Sequence, residues 1–468
     1  MSPFAGIFVL ALVFLTLAAP ALGSLLRDTR TPIHHVVIIM MENHSFDNIF
    51  GVYPEVNSSA NSVASQLTRP VNLVGTRLLS DLSAVPAGSY STPNPLEGYL
   101  AYHADWNHGK MNGFIYGSGA QSMTYFTSTQ LSLEWSLAEE YGLGDMYFSS
   151  YLSETAPNRL MSIAGFTPVE NDYGPPPYIP YQETIFGELS SYGVTWGYYT
   201  PGYTGGVPYP LEYISGMAKH TGHLGRIGTF ESLLSTTGLP AVSWVMPLGS
   251  TSTDYSQHPP QNVTVGELWL LGVVDAVMRS RYWNSTAIFI TYDEGGGYYD
   301  QVPPPMLHGV QLGFRVPLIV ISPFSKENYV SHTVLNHASL LAFIDYNWLL
   351  PALNSFVLES NLPLDFFDFS PFSPGVPVAR PPLVLSNSTV FPAKLQLPLD
   401  QLTYQRTGSS SITLASLGYA LYLTTDVSYT PFFETSVFVT AITLLAVASS
   451  AALAVRSWRL RKVRVNGG

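Results

Sequence analysis

The sequence contains no cysteine, and only 11% of its 468 residues are charged. The absence of cysteine excludes disulfide bonds and thiolate metal ligands, so any bound metal would depend on oxygen or imidazole donors. The low charge, combined with 46% hydrophobic residues, excludes a disordered chain, because disorder requires low hydrophobicity and high charge. The length predicts one large domain with appended segments rather than one small core.

Positive charge is scarce outside the C-terminal tail. The net charge is −12, although residues 456–468 carry five basic side chains and no acidic one. The rest of the chain is therefore still more acidic than the total indicates. An acidic body repels the phosphate backbone of DNA and RNA, which argues against a nucleic-acid partner.

Both ends of the chain look like membrane-targeting segments. Residues 1–23 are uncharged and end in Ala-Leu-Gly before Ser24, which predicts a signal peptide; an uncleaved signal anchor is the alternative, because no Lys or Arg precedes the apolar run. Residues 436–455 form an uncharged stretch long enough to span a bilayer as a helix. The basic tail at 456–468 predicts a cytoplasmic end, and hence a single-pass membrane protein with an extracytoplasmic body.

Three apolar runs between these ends predict buried parallel strands, at 36–41, 287–292 and 316–321. Helical periodicity follows at 263–279 and at 336–350. Strands alternating with helices predict an α/β domain with a mainly parallel central sheet. We place this domain at 31–375, followed by a juxtamembrane stalk or small β-rich region at 376–432.

Residues 170–215 are crowded with Pro, Gly and Tyr, and we read them as a loop-rich insertion. Two interpretations are equally compatible with this composition. The segment is either an aromatic wall for a substrate or an ordered excursion on the surface.

Polar residues follow two of the predicted strands. Glu42 and Asn43 end the first strand, and Asp293 and Glu294 end the second, followed by three glycines. Ligands bind at the carboxyl ends of strands in parallel sheets, and carboxylate and amide oxygens suit hard metal ions. Two adjacent carboxylates that follow an apolar strand are costly to bury unless a cation or a ligand compensates their charge. A helix cap and turn is the alternative interpretation of the first motif.

A nucleophile is available between these motifs, in the segment Ser153-Glu154-Thr155-Ala156-Pro157-Asn158-Arg159. A free hydroxyl is a poor nucleophile, but metal coordination favours its alkoxide form. Taken alone, residues such as Ser153 and Thr155 are more often part of an ordinary polar turn than nucleophiles.

Eight short motifs in order resemble a bacterial phosphoesterase family that includes non-specific phospholipases C and acid phosphatases, within the alkaline phosphatase superfamily. They span about residues 33–372 and read MENHSFDNIFG (41–51), HADWNHGKMNGF (103–114), GDMYFSSYLSETAPNRL (144–160), LPAVSWVMP (239–247), QHPP (257–260), ITYDEGGGYYDQVPPP (290–305), GFRVPLIVISPFS (313–325) and NHASLLAFID (336–345).

The resemblance implies a three-layer α/β sandwich with a central, mainly parallel sheet. It also implies a divalent metal ion held by five residues, with Thr155 as the nucleophile that forms a phospho-threonine. The identity of the metal stays open, because ligand type alone does not select one ion. The implied metal ligands are Glu42, Asn43, Thr155, Asp293 and Glu294.

Three histidines lie in matched motifs: His258, His103 and His337. The resemblance implies that they contact phosphate or protonate the leaving group, with His258 the strongest candidate. Two positions depart from the family pattern. Gln301 follows Asp300 where relatives carry histidine, leaving His308 as a substitute proton donor, and the segment around Glu97 lacks a further histidine.

The expected activity is hydrolysis of phosphate esters at the outer cell face, possible substrates being phospholipids. Three alternatives remain at this stage. The protein could hydrolyse phosphomonoesters as an acid phosphatase does, or serve as a non-catalytic envelope protein on an enzyme fold. Sulfate-ester hydrolysis ranks last, because it normally uses a modified Cys or Ser.

Overall fold

The protein is described by a computed structural model that covers residues 29–51, 84–172, 178–249 and 254–370, together with the backbone of three strands between 402 and 424. The predicted signal peptide at 1–23, the predicted membrane helix at 436–455 and the basic tail at 456–468 lie outside the described residues. Within the described ranges, no helix combines the length and the apolar character needed to cross a bilayer.

Eight strands form the main sheet. In chain order these strands are β1 (His35–Met41), β2 (Gly142–Gly144), β3 (Trp196–Thr200), β4 (Leu224–Arg226), β5 (Val242–Val245), β6 (Thr286–Tyr292), β7 (Leu318–Ile321) and β8 (Tyr329–Ser331). Their order across the sheet is β8-β2-β7-β6-β1-β5-β3-β4. The five strands β6-β1-β5-β3-β4 are all parallel. The predicted α/β fold with a mainly parallel central sheet is confirmed.

The centre of the sheet is formed by β1 and β6, two of the apolar runs predicted from sequence. Every residue of β6 is buried, as are six of the seven residues of β1. Their branched apolar side chains have no polar face to present to water, so the strands are stable only when both faces are covered.

The direction predicted for the third strand was wrong. β7 matches the predicted segment but pairs antiparallel with β6, with Ile288 opposite Ile321. A parallel return requires a crossover of a dozen or more residues, which is usually a helix. The chain from 293 to 317 instead contains only a short hairpin of Met306–Leu307 and Val310–Gln311.

The segment 170–215 is not only an insertion. It contains one helix and also β3, whose five residues (WGYYT) are all buried in the main sheet. The composition was misleading because aromatic residues and threonine favour pleated, half-buried surfaces as readily as they occur in ordered loops.

Ten helices are found within the described residues. They are α1 (Phe46–Phe50), α2 (Tyr99–Trp106), α3 (Phe114–Gly117), α4 (Ser132–Glu140), α5 (Thr155–Ala164), α6 (Ile185–Ser191), α7 (Ile227–Leu234), α8 (Val263–Arg279), α9 (His337–Asn347) and α10 (Ser355–Glu359). One group packs α5 against α6 and α9, and another packs α8 against α4 and α7. The predicted helix at 263–279 is confirmed. The helix predicted at 336–350 is α9, which ends three residues earlier and begins at a capping box of Asn336 and Ser339.

Short elements complete the described chain. Minor strand pairs join Val85–Pro86 to Thr124–Tyr125, Tyr147–Phe148 to Leu335–Asn336, and Ile179–Pro180 to Ile214–Ser215. Single turns of 3-10 helix occur at Asn107–Gly109, Ala120–Met123, Tyr181–Glu183, Leu211–Tyr213, Met217–Lys219, Thr221–His223, Trp283–Ser285 and Pro363–Phe366.

The described C-terminal strands form a separate antiparallel sheet of Leu402–Thr407, Ser409–Ser416 and Tyr419–Thr424. They fall within residues 376–432, for which a stalk or a small β-rich region is predicted.

Candidate active site

Two pairs of polar residues meet where β1 and β6 end. Met41 and Tyr292 are partners in the parallel register, so the residues that follow them emerge at the same edge of the sheet. Glu42, Asn43, Asp293 and Glu294 are each at most 3% exposed. The sheet therefore brings together three buried carboxyl groups and one amide, a costly arrangement unless positive charge compensates it.

Arg159 supplies part of this compensation, and its role was not predicted. Its Nη2 atom lies 2.7 Å from Oε1 of Glu42, and its Nε atom lies 2.9 Å from Oδ2 of Asp293. All three side chains are buried. Arg159 lies four residues after Thr155 on α5, and this one-turn spacing is the sequence signal that could have identified it.

Two acceptor atoms in the cluster have no hydrogen-bond partner: Oδ1 of Asn43 and Oε1 of Glu294, both buried. The other oxygen of Glu294 accepts from the hydroxyl of Tyr102 at 2.5 Å and from the backbone N–H of Gly296 at 2.6 Å. Burial raises the pKa of Glu294 well above its ordinary value, and the charges of Glu97 and Asp293 raise it further. Buried acceptors without donors normally face a missing water or cation.

The residues present fit a divalent cation in their chemistry. Carboxylate, amide and hydroxyl oxygens are hard donors, and two of them are unpaired. Within the described ranges, however, no three His, Cys, Asp or Glu side chains are arranged to hold a metal ion. Arg159 donates a hydrogen bond to one oxygen of Glu42 and to one oxygen of Asp293. The five-residue ligand set therefore stays a prediction.

Burial is the main cause that raises the pKa of Asp293, to about 8. The guanidinium of Arg159 opposes this shift, whereas the carboxylate of Glu42 adds to it. Burial and the Arg159 ion pair therefore act on this carboxylate in opposite directions.

Thr155 is the first residue of α5 and lines a cavity of about 530 Å³ together with Glu42 and His258. The helix start is held by Asp172, whose Oδ1 accepts from the backbone N–H of Ala156 at 2.6 Å. The Arg159 contacts anchor the same helix one turn later. Thr155 is thus brought to the wall of the cavity that also exposes Glu42, as expected of a residue that acts there.

Aromatic residues from the segment 170–215 also line the cavity. Tyr203 and Tyr209 line the cavity, with Pro201, Val207 and Pro208 between and beside them. Of the two interpretations of this segment, the aromatic substrate wall agrees with the position of these side chains.

His258 also lines the cavity, and both of its ring nitrogens face acceptors. Nδ1 lies 2.6 Å from the carbonyl oxygen of Pro259, and Nε2 lies 3.7 Å from Oε1 of Glu97. Burial would lower the pKa of His258, but the carboxylate of Glu97, helped by Glu42, raises it to about 10. The carboxylate of Glu97 therefore favours the protonated form of His258.

His337 is not among the residues that line the cavity, and both of its ring nitrogens contact protein atoms. It is fully buried; its Nε2 donates to the backbone carbonyl of Asp293 at 2.7 Å, and Nδ1 lies 2.9 Å from the hydroxyl of Tyr147. Burial lowers its pKa to about 4, so the ring is neutral. Because both nitrogens are occupied by protein atoms, the geometry supports positioning of Asp293 rather than contact with substrate.

His103 lies on α2, outside the residues that line the cavity. Its Nδ1 lies 2.8 Å from the carbonyl oxygen of Tyr99, and its ring packs on the Tyr99 ring with centroids 3.9 Å apart. A direct catalytic role for His103 has no geometric support in this arrangement.

Gln301, where the family pattern has histidine, lies beside a second buried ion-pair cluster. Arg315 contacts Asp47 at 3.0 Å and Asp300 at 2.9 Å, and the backbone of Gln301 donates to Asp47. His308 lies elsewhere, in an exposed pair with Glu359 at 2.8 Å on another cavity. His308 therefore does not replace the missing histidine as a proton donor.

Comparison with known proteins agrees with this geometry. The family model described as the Phosphoesterase family matches residues 33–351. The chain belongs to this family. Membership makes the protein a phosphoric ester hydrolase, and the alternative of a non-catalytic envelope protein is set aside.

Named relatives of this phosphoesterase include bacterial and plant proteins. Phospholipase C B of Mycobacterium tuberculosis is 27% identical over 393 residues, covering 69% of this chain and 75% of the relative. Non-hemolytic phospholipase C of Burkholderia pseudomallei is 27% identical, with 67% and 55% covered. Non-specific phospholipase C3 of Arabidopsis thaliana is 27% identical, with 65% and 66% covered. A solved protein in the alkaline phosphatase superfamily from Vibrio parahaemolyticus is 9% identical, with 86% and 83% covered and a TM-score of 0.35, too distant to carry an argument.

Proposed function

We propose that this phosphoesterase hydrolyses phosphodiesters of the phospholipid type through a phospho-threonine on Thr155, in a metal-dependent reaction. The observation that carries the proposal is the position of Thr155, on one cavity wall with Glu42 and the cationic His258. The relatives named phospholipase C support the choice of substrate class.

In the proposed reaction, the hydroxyl oxygen of Thr155 bonds to phosphorus as the bond from phosphorus to the leaving oxygen breaks. The hydroxyl proton passes to solvent, and the leaving oxygen takes up a proton to become the free alcohol. Water then cleaves the phospho-threonine and restores the hydroxyl group. His258 places positive charge on the cavity wall, where it stabilises the charge that develops on the phosphoryl oxygens. Arg159 keeps the carboxylates of Glu42 and Asp293 in place.

The predicted divalent ion would be held by Glu42, Asn43, Thr155, Asp293 and Glu294. When bound, such an ion lowers the pKa of a coordinated hydroxyl and neutralises phosphate charge. The unpaired oxygens of Asn43 and Glu294 support this assignment.

A diester requires space for two substituents, whereas a phosphatase can surround a terminal phosphate with donors. The cavity of about 530 Å³, with Tyr203 and Tyr209 on its wall, offers room for a second, apolar substituent. This favours the diester over the monoester. We further propose, from the apolar segments at 1–23 and 436–455, that the catalytic body acts at the outer face of the cell membrane.

The test compares p-nitrophenyl phosphorylcholine with p-nitrophenyl phosphate, using full-length protein with and without a chelator. We expect faster turnover of the diester, loss of activity on chelation, and recovery when a divalent ion is returned. Thr155→Ala should abolish turnover and Thr155→Ser should retain it, with the exposed Thr236→Ala as the control. Full activity of Thr155→Ala, or a preference for the monoester, would contradict the proposal.

A further inference from the structure

Glu97 reaches the candidate active site from the residue pair that precedes α2. Its side chain is 16% exposed, and Oε1 accepts from Nδ2 of Asn43 at 3.2 Å. The same oxygen lies 3.7 Å from Nε2 of His258. One carboxylate thus contacts both a predicted metal ligand and a histidine that lines the cavity, although the sequence showed only that a histidine is missing from this segment.

We propose that Glu97 is a positioning residue that turns the amide of Asn43 so that its oxygen faces the predicted cation, and that also holds the imidazole of His258 at the cavity. This inference rests on the proposed function. It assigns to Glu97 an action through Asn43 and His258, and no direct contact with the substrate.

The orientation of the Asn43 amide follows from hydrogen-bonding chemistry. A carboxylate only accepts, so the side of the amide that faces Glu97 must be the NH2 group. The carbonyl oxygen is then directed away from Glu97, and in the structure it is buried without a partner. A neutral residue unable to accept would leave the amide free to rotate by 180° and present its NH2 group, which no cation accepts as a ligand.

The segment that carries Glu97 is itself fixed in place. The backbone N–H of Leu96 donates to Ser118 at 3.0 Å, and the N–H of Tyr99 donates to Asn171 at 2.8 Å. One turn further along α2, Tyr102 donates to Glu294. Residues 97–102 therefore contact two of the predicted ligands: Glu97 contacts Asn43, and Tyr102 contacts Glu294.

Such supporting contacts have measurable consequences in metal sites. Outer-shell partners orient the ligands, and their removal typically weakens metal binding by about 10- to 100-fold. Two substitutions separate the two contacts of Glu97. In Glu97→Gln the new carbonyl oxygen can still accept from Asn43 but lacks the charge that faces His258, whereas in Glu97→Ala both contacts are lost.

The experiment measures Mn²⁺ binding to full-length protein by titration calorimetry, together with KM and kcat for p-nitrophenyl phosphorylcholine. We expect Glu97→Ala to weaken Mn²⁺ binding by about 10-fold or more. Glu97→Gln should retain Mn²⁺ binding yet raise KM, because the pair with His258 is gone. Glu359→Gln is the matched control, since Glu359 forms an exposed carboxylate–histidine pair with His308 away from the site. This control should leave Mn²⁺ binding, KM and kcat unchanged.

Melting temperature is recorded for each variant, so that misfolding is separated from loss of a ligand. The inference is overturned alone if wild-type protein binds Mn²⁺ and Glu97→Ala, still folded, binds it equally well. Equal loss in Glu97→Gln and Glu97→Ala would also overturn it, because the Asn43 contact survives only in Glu97→Gln. Wild-type protein that binds neither Mn²⁺ nor any other divalent ion tested would overturn the proposed function and this inference together.

Discussion

Arg159 and Asp293 form a buried ion pair, with Nε of the arginine 2.9 Å from Oδ2 of the aspartate. The two residues lie 134 positions apart, one on α5 and the other after β6. Since α5 begins with Thr155, this pair fixes the candidate nucleophile relative to the acidic end of the sheet. It joins the stability of the fold to the geometry of the site.

Replacement of Arg159 by methionine should therefore destabilise the protein strongly. The change leaves the carboxylates of Glu42 and Asp293 buried without their shared cation, which typically costs about 3–5 kcal/mol. The measurement is the free energy of unfolding in urea at neutral pH with chelator present. Arg279→Met, which breaks an exposed helix pair with Asp275, should cost less than about 1 kcal/mol. Equal losses in the two variants would contradict the structural role of Arg159.

The His258–Glu97 pair predicts a pH-dependent contribution to stability. The pKa of His258 in the folded protein is about 10, against an ordinary value of 6.5, so the folded state holds the proton more tightly. The contribution is fully present below about pH 6.5 and is lost as pH rises through about 10. The free energies of unfolding of wild type and His258→Gln should therefore converge as pH rises from 6.5 to above 10. A difference that is constant across this range would show that the pair does not form.

His337→Phe tests the positioning of Asp293. The substitution keeps an aromatic ring of somewhat larger size but removes the hydrogen bonds of His337 to the carbonyl of Asp293 and to the hydroxyl of Tyr147. Each unmet buried group costs about 1–3 kcal/mol, and kcat should fall because Asp293 is less well held. His103→Phe is the comparison, since His103 is partly exposed and lies off the cavity; it should leave kcat nearly unchanged. The reverse order of effects would restore His103 as a catalytic residue.

Tyr203→Ala examines the aromatic wall. If Tyr203 packs against the apolar substituent of a diester, its loss should raise KM for a phospholipid about 2- to 10-fold, equivalent to ~0.4–1.4 kcal/mol. KM for p-nitrophenyl phosphate should change less, because that ester has no second substituent. The exposed Tyr192→Ala provides the control. A uniform change with both substrates would indicate a general disturbance of the cavity.

The sequence was informative where a local pattern was sufficient. β1 and β6 follow from unbroken apolar runs, and α8 follows from its helical period. The direction of β7 and the inclusion of β3 in the sheet were not evident, because strand direction depends on the path of the connecting chain. The aromatic composition of β3 resembled that of the loops around it.

The candidate site divides in the same way. Glu42, Asn43, Asp293 and Glu294 could be named from the sequence, because parallel strands present their carboxyl ends at one edge. The contact of Glu97 with Asn43 and that of His337 with Asp293 could not be recognised, since each depends on how one side chain lies in the folded molecule.

The sequence by itself determined the apolar strands, their polar ends and the hydroxyl group of Thr155, because periodicity and residue chemistry are local properties. Only the tertiary structure decided which charges meet. Arg159 lies 117 residues from Glu42 and 134 from Asp293, and no short-range pattern connects them. Burial makes these ion pairs matter for stability. An exposed pair contributes little to the free energy of unfolding, whereas loss of one partner from a buried pair is strongly destabilising.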